Sequence, residues 1–405
     1  MKLNFFFAAV LFGSVCAQAQ DSWMQVDSVK GPPKSVCAAF ELNGLGFVAT
    51  GLDSTGFTRR MYSYDYMQND WDNEQSLGGA NGGGLSRGSA VGFSIFNKGY
   101  VCTGQGDNTN FLNDTWEYDP ALDVWTQKAD FLGSARRNAV CFVIDNIAYV
   151  GTGEDASGLR KDFYKYDPVN NIWGVIADFG GTPRKKAAAF ALGNLGYVGT
   201  GDDGVVRNDL WQYQVFQNTW TQKANMPGTA RCGAVGWGTF PTGFIATGED
   251  ITGTYKNDVW EYNYFTNQWI QRTSIPAPGR KHAFVFMLNN IAFVGCGYNG
   301  DFLDDCYAYT PLVGISEQHN ETTVNAYPNP ATALLHIDLK TQQFERNSIQ
   351  LYNASGQNVT AQCDVTANAS GFTVQVESLA AGNYFYVLAD AETEVPVHGS
   401  FVVKK

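Results

Sequence analysis

The sequence predicts an all-β chain in two parts, a ring of six four-stranded antiparallel units followed by a small antiparallel β-sandwich. Three observations predict it. The 405 residues include 44 Gly and 14% aromatic residues but only 16% charged ones, a composition unlike that of helical bundles or disordered chains. A glycine closing a β-branched and aromatic run recurs at Gly51, Gly104, Gly153, Gly201, Gly248 and Gly297, spaced by 53, 49, 48, 47 and 49 residues. After Tyr309 that repeat stops and a differently patterned segment begins.

Lys2 precedes an apolar run from Phe5 to Phe12, then Ala17-Gln18-Ala19. This is the build of a secretory leader over residues 1–19 with an A-x-A cleavage site, leaving a mature chain that begins near Gln20. The run is too short to span a bilayer as a helix, and no later stretch is long enough. Cys16 leaves with the leader. Cys37, Cys102, Cys141, Cys232, Cys296, Cys306 and Cys363 remain, with no C-x-x-C pair, so neither a disulfide framework nor a zinc site is indicated. They read as buried packing residues, with Cys296 and Cys306 the one candidate cross-strand pair.

Within residues 20–312 each unit carries the same signals. An alternating run opens with Lys34, Arg87, Arg136, Arg184, Arg231 or Arg280, six residues before Phe40, Phe93, Phe142, Phe190, Trp237 or Phe286. An aromatic-x-Tyr unit ends at Tyr64, Tyr118, Tyr166, Tyr213, Tyr262 or Tyr309. Trp71, Trp125, Trp173, Trp220 or Trp269 follows the first five tyrosines by seven residues. Period-two alternation between turns rich in Gly, Asn and Asp predicts four short strands per unit. This pattern, with its period near 50, resembles the kelch repeat of β-propellers, which implies a six-bladed propeller. The sixth unit has Ser316 where the others have Trp. Trp23 lies eleven residues before Lys34, the separation of Trp125 from Arg136, so the N-terminal strand is expected to close blade six.

A polar linker, 313–321, leads to a module over 322–405. Its motifs run Tyr327-Pro328-Asn329-Pro330-Ala331, then Leu351-Tyr352-Asn353-Ala354-Ser355-Gly356, then Leu379-Ala380-Ala381-Gly382-Asn383-Tyr384, and a basic end at Lys404-Lys405. That order resembles the type A C-terminal sorting domain of the Bacteroidota type IX secretion system. The resemblance implies passage through the periplasm, contact with the secretion machinery, and a secreted or outer-membrane-surface destination.

Chemistry is sparsely signalled. The net charge of −12 disfavours nucleic-acid binding by the whole surface. Two G-x-G-x-x-G stretches, Gly199 to Gly204 and Gly295 to Gly300, lead into strands instead of the helix a dinucleotide site needs. Of four histidines only His282 lies in the propeller, which excludes a copper site like that of kelch-type galactose oxidase. No cofactor, metal ligand set or catalytic residue is assigned. The residue two after each repeat glycine is Asp53, Gly106, Asp155, Asp203, Asp250 or Asn299, with Glu154, Asp202 and Glu249 beside three of them. This acidic column is expected to share a face with the basic column, the basic residues nearer the axis and the two columns paired around the ring. A second acidic column, Asp114, Asp162, Asp209, Asp258 and Asp305, reads as blade-to-blade hydrogen bonding.

Departures from the repeat point to a binding face. Trp71 to Arg87 is five residues longer than the other connections and contains Gly82-Gly83-Gly84, so a loop should overhang that face. Blades three, four and six add charge after the recurrent Arg: Arg137, then Lys185 and Lys186, then Lys281 and His282. With Arg136, Arg184, Arg280, Glu154 and Glu249, these are the candidate ligand-binding residues. A basic lip on an acidic protein suits a carboxylate or sulfate, as on an acidic glycan. The reading is a secreted module that binds an extracellular protein or acidic glycan. The alternative is an enzyme similar to the kelch sialic-acid mutarotases, with Arg136, Arg184 or Arg280 holding a sugar carboxylate and Glu154 or Glu249 moving a proton.

Overall fold

The computed structural model describes residues 21–79, 83–107, 110–311, 324–339, 349–354, 357–368, 371–388 and 397–405. The leader, the linker and Gly82 lie outside the described residues.

Each repeat folds as one four-stranded antiparallel sheet. In blade one the strands are Ala38–Leu42, Leu45–Ala49, Met61–Asp65 and Asp70–Glu74, paired in chain order. The first strands of successive blades contact one another in a closed cycle, which places them around a common axis. The repeat signals explain how blades stack. The ring of Phe286 in blade six lies where a β-carbon on Gly46 of blade one would be, and Phe40, Phe142 and Phe190 stand in the same relation to Gly99, Gly196 and Gly243. A flat aromatic ring therefore fills the space that a side chain on the next sheet would occupy.

The outer strands are tied by a second recurrent device. Trp71, Trp125, Trp173, Trp220 and Trp269 each donate an indole N–H to a backbone carbonyl of the preceding blade, at 2.8–3.2 Å. Two residues before each Trp, an Asn or Asp side chain accepts the hydroxyl of that blade's tyrosine, as in Tyr166 to Asn171 at 2.9 Å. The same side chain accepts a backbone N–H from the preceding blade, as from Ala129 at 2.8 Å.

Blade six is completed from the other end of the chain. Ser22–Val26 pairs antiparallel with Cys306–Thr310, Trp23 opposite Tyr309. Trp23 donates to the Thr273 carbonyl at 2.8 Å. Asp21 accepts the Thr273 N–H at 2.8 Å and the Tyr309 hydroxyl at 3.1 Å. Asp21 thus does in blade six what Asn171 does in blade three.

The C-terminal module is a β-sandwich. One sheet holds Val324–Tyr327, Leu334–Leu339, Gly371–Gln375 and Val365–Asn368; the other holds Ile349–Asn353, Gly382–Leu388 and Val397–Val403. Leu335, Ile337, Leu351, Phe372, Tyr386 and Phe401 form its core. Asn329 of the Tyr327-Pro328-Asn329-Pro330 motif accepts the Val402 N–H at 2.9 Å, and Ala331 N–H donates to the Val402 carbonyl at 2.7 Å. The motif therefore fastens the module's entry to its last strand.

Candidate functional site

The connections into the first strand and those between the second and third strands meet at one end of the propeller, and all the charged candidates lie there. The recurrent arginines are not free. Arg87, Arg136, Arg184, Arg231 and Arg280 are at most 1% exposed. Each forms a bidentate pair with Asp114, Asp162, Asp209, Asp258 or Asp305 of its own blade, with the shorter contacts of the first four at 2.5–2.6 Å. Each also donates to the carbonyl of the residue before the repeat glycine, as Arg136 does to Thr152 at 3.0 Å. Burial alone would raise the Asp114, Asp162 and Asp258 carboxyls, but the Arg hydrogen bonds outweigh it and hold all three below their ordinary value.

Three expectations are corrected by this arrangement. Arg136, Arg184 and Arg280 are buried internal struts and cannot meet a ligand. The second acidic column works within blades, pairing with the arginines, and not between blades. The first acidic column pairs locally: Asp155 with Arg160 at 2.5 Å, Asp203 with Arg207 at 2.9 Å and Asp250 with Lys256 at 2.6 Å. Burial would raise the Asp155 carboxyl, yet Arg160 and Ser134 bring it down to about 2. Blade one departs from the pattern, because Arg60 stands where the others have Asp. Its buried Lys34 instead places its ammonium 4.1 Å from the centroid of the Tyr62 ring.

Two residues beyond each strut, the chain turns in the left-handed region: Val36, Ser89, Asn138, Lys186, Gly233 and His282, with φ of 52–65°. Each N–H donates to the carbonyl of its counterpart in the preceding blade, with Val36 donating to His282 at 3.1 Å to complete the cycle. The N···O distances run from 2.8 to 3.1 Å. This hydrogen-bonded collar surrounds the axis, satisfies both backbone groups of all six residues, and fixes where their side chains start. Gly233 leaves room for the imidazole of His282, whose Cε1 would be 3.0 Å from a β-carbon there. Burial, then the charges of Lys186 and Lys281, push the His282 pKa down to about 3, so the imidazole is neutral at physiological pH.

Around the collar lies a second ring, where the residue after each strut bridges to the residue after each repeat glycine: Arg137 to Glu154, Lys185 to Asp202, Cys232 to Glu249 and Lys281 to Tyr298. Here the structure brings together Arg137, Lys185, Lys186, Lys281, His282, Glu154 and Glu249. Glu154 accepts from Arg137 at 2.8 Å and from Lys185 at 2.9 Å; Glu249 accepts from Lys281 at 2.7 Å. Burial would raise the Glu154 carboxyl, and the bonds from Lys185 and Arg137 reverse that. Among the described residues, the Lys186 ammonium has no ion-pair partner. The Cys232 thiol is pushed up by burial.

Sequence reasoning missed the aromatic residues of this rim. The Lys281 ammonium lies 5.4 Å from the Tyr255 ring centroid and 5.9 Å from that of Tyr298, and the Arg137 guanidinium lies 5.4 Å from Phe111. Gln105 also accepts from Arg137. Gln105 and Tyr298 occupy the column immediately after the repeat glycine, so reading that column as a whole, and not only its acidic members, would have found them. In the long connection of blade one, Arg59 donates to the carbonyls of Leu77 and Gly79 at 3.3 and 3.1 Å, and Gly83 packs on Trp116. A cleft of ≈ 550 Å³ at the opposite end, beside Phe96, Lys98, Glu117 and Asp119, has its lysine paired with Asp119 at 2.5 Å and gathers none of these groups.

Comparison with known proteins agrees with this architecture. Residues 37–237 match the KLHDC2/KLHL20/DRC7 Kelch-repeats domain, and residues 325–403 match the secretion system C-terminal sorting domain. A solved structure described as "Structure of YjhT" is similar over 69% of this chain and 96% of its own, with 17% sequence identity and a TM-score of 0.58. At that identity the likeness shows the fold. No curated protein matches the chain.

Proposed function

We propose that the loop face of this chain, whose residues 37–237 carry kelch repeats of a β-propeller and whose C-terminal secretion-system sorting domain directs it to the cell surface or the medium, binds an acidic glycan outside the cell. The observation that carries the proposal is Lys186, a collar lysine with no ion-pair partner among the described residues, set beside a rim that also holds Lys185, Lys281 and the rings of Tyr255 and Tyr298. A carboxylate or sulfate would meet Lys186, and sugar rings would lie against the tyrosines. The pairing of Glu154 and Glu249 with cations weighs against the alternative of a proton-shuttling sugar enzyme, which needs a carboxylate free to exchange its proton near neutral pH.

The test is calorimetric titration of the exported protein with uronate-bearing or sulfated oligosaccharides and with their neutral counterparts. Lys186→Ala should weaken binding of the acidic ligands about tenfold, the size expected for loss of one charge-assisted contact. Raising the salt should weaken it further. Equal affinity for neutral and acidic sugars, or an unaffected Lys186→Ala variant, would overturn the proposal. Interconversion of sugar anomers by the protein, followed by NMR, would favour the enzyme instead.

A further inference from the structure

The junction between blades six and one differs from the other five at two positions at once. Directly before the first strand stand Ala90, Ala139, Ala187, Ala234 and Ala283 in blades two to six, but Cys37 in blade one. Directly before the repeat glycine stand Thr50, Thr103, Thr152, Thr200 and Thr247 in blades one to five, but Cys296 in blade six. Both exceptions fall on the seam that the ring must close between its two chain ends. The backbones meet there: Gly297 N–H donates to the Lys34 carbonyl at 2.9 Å and Val36 N–H to the His282 carbonyl at 3.1 Å. Cys296 is fully buried, and Cys37, part-exposed, packs against the same apolar cluster. Burial first, and then the neighbouring Cys37 thiol, push the Cys296 thiol well up, while the Cys37 thiol donates to the Ser35 carbonyl at 3.7 Å. Both are free thiols in the structure.

We propose that Cys37 and Cys296 form a disulfide in the exported protein and staple blade one to blade six. Export takes the chain out of the reducing cytoplasm, where such a bond would not persist. The oxidant is an external disulfide of the thiol-exchange class, protein-borne or small. The Cys37 thiolate attacks one of its sulfurs and releases the first thiol; Cys296, deprotonated, then attacks the Cys37 sulfur and releases the second. Two protein thiols and one external disulfide thereby become one protein disulfide and two external thiols. Because Cys296 is fully buried once the ring closes, exchange takes place while the seam is open. Cys306, whose preceding residue's carbonyl accepts the Cys296 N–H at 2.9 Å, is the competing partner.

The experiment blocks free thiols of the exported, unreduced protein in denaturant and maps its peptides by mass. The expected result is a Cys37–Cys296 linked peptide, with Cys102, Cys141, Cys232, Cys306 and Cys363 all alkylated. Alkylation of both Cys37 and Cys296, or a Cys296–Cys306 link, overturns the proposal. A paired variant, Cys37→Ala with Cys296→Thr, restores the combination used at the other five junctions and should fold. Reductant should lower the melting temperature of the parent and leave that of the paired variant unchanged. Equal sensitivity of the two proteins to reductant would also refute the staple.

Discussion

Replacing Asp21 by alanine tests whether the ring is closed by its N-terminal strand. Asp21 is 9% exposed, and its carboxylate accepts the Thr273 N–H at 2.8 Å and the Tyr309 hydroxyl at 3.1 Å. Removing it leaves both donors without an acceptor. Tyr309 is fully buried. At about 1–3 kcal/mol for each stranded donor, and with some access of water at the chain end, Asp21→Ala should cost about 2–4 kcal/mol. Asp21→Asn keeps the acceptor oxygen, and Asn fills the equivalent place at Asn69, Asn171, Asn218 and Asn267. That variant should lie within about 1 kcal/mol of the parent. Asn171→Ala in blade three removes the same two kinds of bond, from Tyr166 at 2.9 Å and Ala129 at 2.8 Å, and serves as the internal standard. Urea unfolding followed by tryptophan fluorescence reads all three variants against the parent. If Asn171→Ala is costly while Asp21→Ala is neutral, the N-terminal strand does not close blade six in solution. If Asp21→Asn is as damaging as Asp21→Ala, the acceptor argument fails.

Breaking one strut with Asp258→Ala leaves the Arg231 guanidinium buried without its carboxylate, and should cost about 3–5 kcal/mol in the same assay. Gly196→Val pushes side-chain atoms into the Phe142 ring of the preceding blade and should cost about 1–3 kcal/mol; a neutral result would mean that the blades can separate to accept it. The His282 imidazole is held neutral in the folded chain, with a pKa of about 3, and takes up its proton nearer 6.5 when unfolded. Its contribution is therefore complete above about pH 6.5 and is lost as the pH falls toward 3, with a slope of at most about 1.4 kcal/mol per pH unit. Lys186 and Lys281 are the charges facing it, so His282→Gln should flatten the pH dependence of stability across that window. An unchanged profile would show that His282 is protonated in the folded protein.

By itself the sequence determined the six-fold β architecture, the division into propeller and sandwich, and the pairing partner of the Trp23 strand. Those readings rest on spacing, and spacing survives in one dimension because each blade repeats the same local solution: a ring over a glycine, a Trp bonded to the preceding blade, and an Asn or Asp that accepts both its own blade's Tyr and a backbone N–H of that preceding blade. The charged residues were only half legible. Arg136 and Arg137 are adjacent in the chain and equally basic, yet the first is sealed against Asp162 while the second stands on the rim against Glu154 and Phe111. Successive residues of an extended chain point to opposite sides, and burial on one side is set by elements 15 to 30 residues away. The left-handed collar, the choice of which acidic column meets the arginines, and the meeting of Cys37 with Cys296 arise only once the chain is closed into a ring. Each depends on groups brought together by the closure and not by their separation along the chain.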